Sequence, residues 1–165
     1  MKRSRRIVPL FLSLPNPHPW LVHFPIALCA AALGFDLACL IWRREIWLDR
    51  AAVALYFVGT VSAGAAAVTG KLAAVSFESL PAETETLVGE HGEWAFFTVV
   101  LFLVLSLLRA ETAWRDRGES SLRRHRLRLL ALAVALSAQG ALLQTAARGA
   151  ALVYRHGVGV NGMLR

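Results

Sequence analysis

The chemistry open to this chain lies mainly in its 5 histidines. A neutral imidazole can ligate haem iron, zinc or copper, and it titrates near physiological pH. Two of the five sit in the stretch His18-Pro19-Trp20-Leu21-Val22-His23-Phe24-Pro25-Ile26-Ala27-Leu28, at the head of a long apolar run. Asn16 is suited to cap a helix whose first turn holds Pro17 and Pro19, where a missing N–H costs nothing. Pro25 lies inside the run. It removes a backbone hydrogen bond and predicts a kink near Leu21. His23 falls at that kink, about where lipid headgroups give way to hydrocarbon. Ionisable side chains at such depth are functional candidates.

The elements that must position these histidines are apolar. The chain has 165 residues, 56% of them hydrophobic, and its mean hydropathy is +0.52. Soluble domains average roughly 45–50% apolar. The excess falls in four runs, each near the ~20 residues that cross a bilayer. They extend from about Trp20 to Trp42, Ala51 to Lys71, Val88 to Arg109 and Leu127 to Ala147. The expected fold is all-α: an integral membrane up-down four-helix bundle. Residues 20–147 form the transmembrane domain, residues 1–19 a basic surface tail, and residues 148–165 a C-terminal tail capping the outer face. The opening Met1-Lys2-Arg3-Ser4-Arg5-Arg6 resembles the start of a signal peptide. Pro9 interrupts its short apolar part and no small-x-small site follows, so it reads as an uncleaved tail. No internal repeat is evident. Trp20, Trp42, Trp47, Trp94 and Trp114 lie near span ends, as an aromatic belt requires.

The net charge of +7 comes from arginines that flank the apolar runs. Headgroup anchoring explains them better than nucleic acid does. The loops after spans one and three share a side and carry Arg43, Arg44, Arg50, Arg115, Arg117, Arg123 and Arg124 among others. The positive-inside rule places those loops in the cytoplasm and both termini outside. His18, His23, His91 and His156 then converge on the outer face, while His125 lies on the other. In an up-down bundle, spans one and three stand diagonally. His23 and His91 are therefore expected to face each other across the core as metal ligands. His18 and His156 add a second layer or a second site. Small residues on spans two and four, such as Gly59, Gly64, Gly70, Gly140 and Gly149, leave room for a flat cofactor. Lys71, Arg148 and Arg155 lie at the same end and suit haem propionates. The cofactor expected is haem b, with zinc or copper as the alternative.

Plainer roles compete. Small residues in membrane helices also serve close packing, and a histidine at an interface also serves as a hydrogen-bonding anchor. Asp36 in span one needs a partner, and Tyr56, Ser106 and Arg109 lie at matching depth. Gln139 and Gln144 read as interhelical ties. Cys29 and Cys39 share one span about 15 Å apart and cannot pair with each other. The absence of CxxCH excludes covalent c-type haem. No nucleophile–base constellation or phosphate loop is present, so catalysis by this chain alone is not expected.

Two motifs give the chain a resemblance to a bacterial family of small membrane proteins, domain of unknown function 2231. One is His18-Pro19 with Val22-His23-Phe24-Pro25-Ile26-Ala27-Leu28. The other is Leu152-Val153-Tyr154-Arg155-His156-Gly157-Val158-Gly159-Val160. The four-span plan and His91 at the start of span three also match. The resemblance implies the cytoplasmic (inner) membrane as location. Fusion of some members to Rieske-type domains implies membrane redox work. Two positions depart from the family pattern: Ala150 follows Gly149, and Lys71 follows Gly70 where an acidic residue is expected.

The sequence thus reads as a b-type haem electron-transfer subunit of the membrane, partnered by the bilayer and by a redox protein or larger complex. A structural or assembly subunit, and a His-ligated metal binder, are the rival readings. The topology has a direct check. Reporter fusions at Glu45 and Glu119 should behave as cytoplasmic and one at Glu83 as external. The reverse pattern would show that the N-terminal tail sets the orientation.

Overall fold

A computed structural model describes residues 16–42, 46–77, 79–115 and 121–159, without the side chains at 114, 115 and 121–125. The basic tail through residue 15, the side chain of His125 and residues 160–165 lie outside the described residues. Every regular element among those described is a helix. They are α1 (His18–Leu21), α2 (His23–Ile41), α3 (Ile46–Ala74), α4 (Ala82–Arg115) and α5 (Ser121–Tyr154). Four stretches are long and apolar enough to cross a membrane: His18–Ile41, Ile46–Ala74, Ala82–Ala113 and Arg126–Tyr154. Each helix packs on the next and α5 returns to α2, so the bundle closes with α2 and α4 on one diagonal.

The first span is broken where Pro25 requires it. With no N–H at Pro25, the Leu21 carbonyl loses its helical donor, and the helix is interrupted at Val22. Asn16 caps the entry, its side-chain oxygen accepting from the His18 N–H at 3.0 Å. At the far end of α5, Gly157 adopts φ 65° and lets Val158 donate back to the Leu152 carbonyl at 2.9 Å.

The inward residues that line each seam follow an alternation of four and three, with Thr60, Ser106 and Ala141 also buried beside them. In α2 the seam residues are Pro25, Cys29, Ala32 and Asp36, and His18 and Val22 continue the same stripe backwards. In α4 they are Thr98, Phe102, Leu105 and Arg109, preceded by His91 and Ala95. These are coiled-coil seams, with two inward residues per heptad. Their registers coincide. Asp36 and Arg109 are 73 residues apart, and the same offset carries His18 to His91 and Cys29 to Phe102. In α3 the stripe runs Ala52, Tyr56, Gly59, Ala63, Ala66, Gly70. In α5 it runs Ala131, Ala135, Ala138, Leu142, Thr145, Gly149, again with one constant offset. The two halves, α1–α3 and α4–α5, therefore present the same inward register, a pseudo-twofold arrangement of two helical hairpins. The two halves share few residue identities and reveal themselves through burial register.

Hydrogen bonds obey the same equivalence. Thr60 on α3 reaches the Phe102 carbonyl of α4 at 3.1 Å. Gln139, its counterpart on α5, donates to the Cys29 carbonyl of α2 at 2.6 Å. Thr60 also lies 2.8 Å from its own Tyr56 carbonyl and 2.8 Å from the Ser106 hydroxyl. Tyr56 and Phe102 stack nearby, with ring centroids 6.4 Å apart. At one end of the bundle, Arg109 Nη2 donates to Asp36 Oδ1 at 2.6 Å and to Asp49 Oδ1 at 2.9 Å. Of the partners expected for Asp36, Arg109 takes the role and Ser106 turns to Thr60. The buried Tyr56 hydroxyl comes near Asp36 outside hydrogen-bonding geometry.

If the two hairpins are equivalent, their cross-ties should weigh alike. Thr60→Val and Gln139→Leu should each destabilise the protein by about 0.6–1.7 kcal/mol, the range of interhelical hydrogen bonds in membranes. Equilibrium unfolding in mixed micelles would measure both. A cost confined to one of them would separate the two seams.

Candidate functional site

At the other end of the bundle, the shared register brings two histidines together. His18 heads the stripe of the first hairpin and His91 that of the second. Their ring centroids lie 6.2 Å apart with planes at 82°. Each ring is held in the same way. His18 Nδ1–H donates to the Ala66 carbonyl of α3 at 2.9 Å. His91 Nδ1–H donates to the Thr145 carbonyl of α5 at 3.0 Å. A carbonyl can only accept, so in each neutral ring Nε2 keeps its lone pair. Neither Nε2 has a hydrogen-bond partner among the described residues.

One turn beyond each accepting carbonyl stands a glycine. A Cβ at Gly70 would lie 2.7 Å from His18 Cε1, and one at Gly149 would lie 3.1 Å from His91 Cε1. The missing side chains let the imidazoles lie against the helix backbones. Thr145 is itself fixed, its hydroxyl donating to the Ala141 carbonyl at 2.9 Å and meeting the Thr98 hydroxyl at 2.9 Å.

Both rings line a cavity of about 400 Å³, within the ~300–1,000 Å³ of small-molecule sites. Its walls are small and apolar: Ala63, Ala66 and Ala67 from α3, Ala95 and Val99 from α4, and Leu142, Ala146 and Ala150 from α5. Val22, Pro25 and Ile26 close it from the first span.

The expected partner of His91 was His23; the structure puts His18 there. His23 is exposed, and it lines the same cavity without joining the ring pair. The reason is periodic. His18, Val22 and Pro25 share the inward stripe, and His23 is one residue off it, about 100° around the helix. His156 does not cap the pair. Its Nδ1 meets the Thr84 hydroxyl at 3.2 Å, in a separate surface hollow with Glu83, Glu90 and Arg155. Lys71 is exposed beside Gly70, and Arg155 is exposed in that hollow. Arg148, next to Gly149, bonds Glu90 at 3.3 Å and Gln144 Oε1 at 2.7 Å, and covers the Trp94 ring at 4.9 Å. Ala66, Thr145, Gly70 and Gly149 enter the site as partners that depth alone did not reveal. Their signal is the shared spacing of accepting carbonyl and glycine, four residues apart on both α3 and α5.

Among the described residues no group of three or more histidines, cysteines or acids is placed to hold one metal ion. The donor set here is two imidazoles with their Nδ1 atoms fixed, the second-layer arrangement that orients metal-ligating histidine.

These features define a four-span membrane bundle with a paired-histidine cavity at one end. The chain belongs to the family described as predicted membrane protein, domain of unknown function 2231, whose model matches residues 15–162. Neither a curated protein nor a solved structure matches it.

The glycines give the site a test independent of any ligand. Gly70→Val and Gly149→Val should each displace a ring and destabilise the protein by about 1–3 kcal/mol, as overpacking does. Gly64→Val, where nothing lies within 4 Å of an added Cβ, should be close to neutral. Thermal unfolding in detergent separates these outcomes, and equal effects at all three positions would remove the glycines from the site.

Proposed function

We propose that the chain is a b-type haem electron-transfer subunit of the bacterial cytoplasmic membrane, with His18 and His91 as the axial ligands. The observation that carries this reading is the symmetric presentation of two free Nε2 atoms. His18 and His91, with ring centroids 6.2 Å apart on the wall of one cavity, are the residues that would hold the group. A porphyrin brings four nitrogens of its own, so two protein ligands complete the iron. Zinc closed by protein side chains takes three or four, which places it behind haem. A two-coordinate copper site remains the variant for which the same two histidines would serve.

The protein's part is to bind and orient. Backbone carbonyls of Ala66 and Thr145 fix the tautomer and orientation of each ring. The small walls admit a flat ligand and keep water away from it. When bound, haem supplies one-electron exchange at the membrane face where α1 and α4 begin. With both termini outside, that is the outer face, and electrons would pass there to a redox protein or larger complex.

The structural-subunit reading rests on the same hydrogen bonds, since each ties one helix to the next without any ligand. Spectroscopy separates the two. Protein purified from haem-sufficient cells should show a Soret band that shifts on reduction. His18→Ala and His91→Ala should each abolish the low-spin spectrum, while His23→Ala and His156→Ala should retain it. A colourless protein after haem supplementation would sink the haem reading and leave the histidines as ties.

A further inference from the structure

The end of the bundle opposite the histidines carries charge that the proposed function does not use. Asp36 and Arg109 occupy equivalent positions of the two hairpins, and so do Asp49 and Arg128. The first hairpin supplies both acids and the second both bases. Arg109 is buried and holds both carboxylates through one nitrogen, at 2.6 and 2.9 Å. Arg128 acts on the same end, where its charge reaches Cys39 together with those of Asp36, Asp49 and Arg109. Volume is complementary as well: Tyr56, fully buried beside Asp36, has Ala135 as its counterpart.

Two hairpins with the same inward stripe face a problem of choice. Nothing in the heptad pattern stops the first hairpin of one chain from packing on the first hairpin of another. We infer that the four charges are a pairing code: they make the first hairpin accept the second and reject a copy of itself. Two first hairpins would bring together two buried Asp36 and two partly buried Asp49 carboxylates, and two second hairpins would bring together two buried Arg109 guanidinium groups beside the exposed Arg128 pair. Both arrangements leave buried charge without a partner, which hydrocarbon does not tolerate. Only a first hairpin with a second is neutral. Repulsion against wrong partners is how paired helices elsewhere set specificity. The code also directs the chain to close on itself. The link between hairpins, residues 75–81, is long enough when extended, about 23 Å, to let hairpins exchange between copies. The occupant that the code governs is therefore a second copy of this chain.

Two complementary full-length chains test it. One carries Asp36→Arg, Asp49→Arg and Tyr56→Ala, so both of its hairpins are basic. The other carries Arg109→Asp, Arg128→Asp and Ala135→Tyr, so both are acidic. Each chain alone should accumulate in membranes at less than about a tenth of the unaltered level. Co-expressed with different tags, they should recover together as a 1:1 pair, each hairpin taking its opposite from the other chain. A single chain with all six substitutions should return to a monomer, because the code is merely reversed. Normal accumulation of either altered chain alone overturns the inference, as does failure of the co-expressed pair or of the six-substitution chain to recover. None of these readouts depends on haem.

Discussion

Inside hydrocarbon no water competes for a polar group, so each buried donor and acceptor must find its partner within the protein. That constraint is met by most of the buried polar side chains among the described residues, the Tyr56 hydroxyl and Arg109 Nε being the exceptions. Arg109 takes two carboxylates. Thr60 and Gln139 each turn to a carbonyl on a neighbouring helix. His18 and His91 do the same with one nitrogen. The apolar remainder cannot decide how the helices pair, because lipid is as apolar as leucine. Small residues set how close the helices come, and polar ties set which helices meet. Gly59 shows the closeness: a Cβ there would lie 2.5 Å from Cys29 Sγ.

Much of the fold was legible. Four apolar runs, their belt of tryptophans and the break before Pro25 all follow from composition and from the lost N–H. The partner of Asp36 was legible too, because few groups at that depth could satisfy it. The pair at the bundle end is His18 with His91 and not His23 with His91, because His23 lies one residue off the inward stripe at Val22. Depth along the membrane was used to match His23 with His91, and depth cannot tell the two sides of a helix apart. The alternation of four and three does so. It runs through His18, Val22, Pro25, Cys29, Ala32 and Asp36 and leaves His23 outside. The stripe was hidden because its residues are chemically mixed. A proline, a cysteine, an alanine and an aspartate do not stand out as one seam inside a span whose outer face is equally apolar. The same mixing concealed the shared register, since Cys29 corresponds to Phe102 and Ala32 to Leu105.

The shared register makes it possible to ask where the two halves are alike. A tie between helices has no need of symmetry. Thr60 and Gln139 occupy one position and do one job with different groups. Asp36 and Arg109 carry opposite charge, because two like charges on facing hairpins would repel. Tyr56 and Ala135 differ in volume. Packing and pairing therefore favour unlike groups at equivalent positions, since complementary partners fit better than equal ones.

The histidine end behaves in the opposite way. His18 equals His91, Gly70 equals Gly149 and Ala67 equals Ala146, and all six line or shape the cavity. Two equal imidazoles gain nothing from each other as neighbours, for when both are charged they repel. If they served only as ties, a threonine and a glutamine would do as well, as they do in mid-span. Equality becomes an advantage when something between the two rings requires the same from each side. The group proposed to lie between His18 and His91 would make that demand. The argument rests on contrast within one chain: at the mid-span ties and at the charged end equivalent positions carry different groups, whereas at the histidine end they carry the same ones.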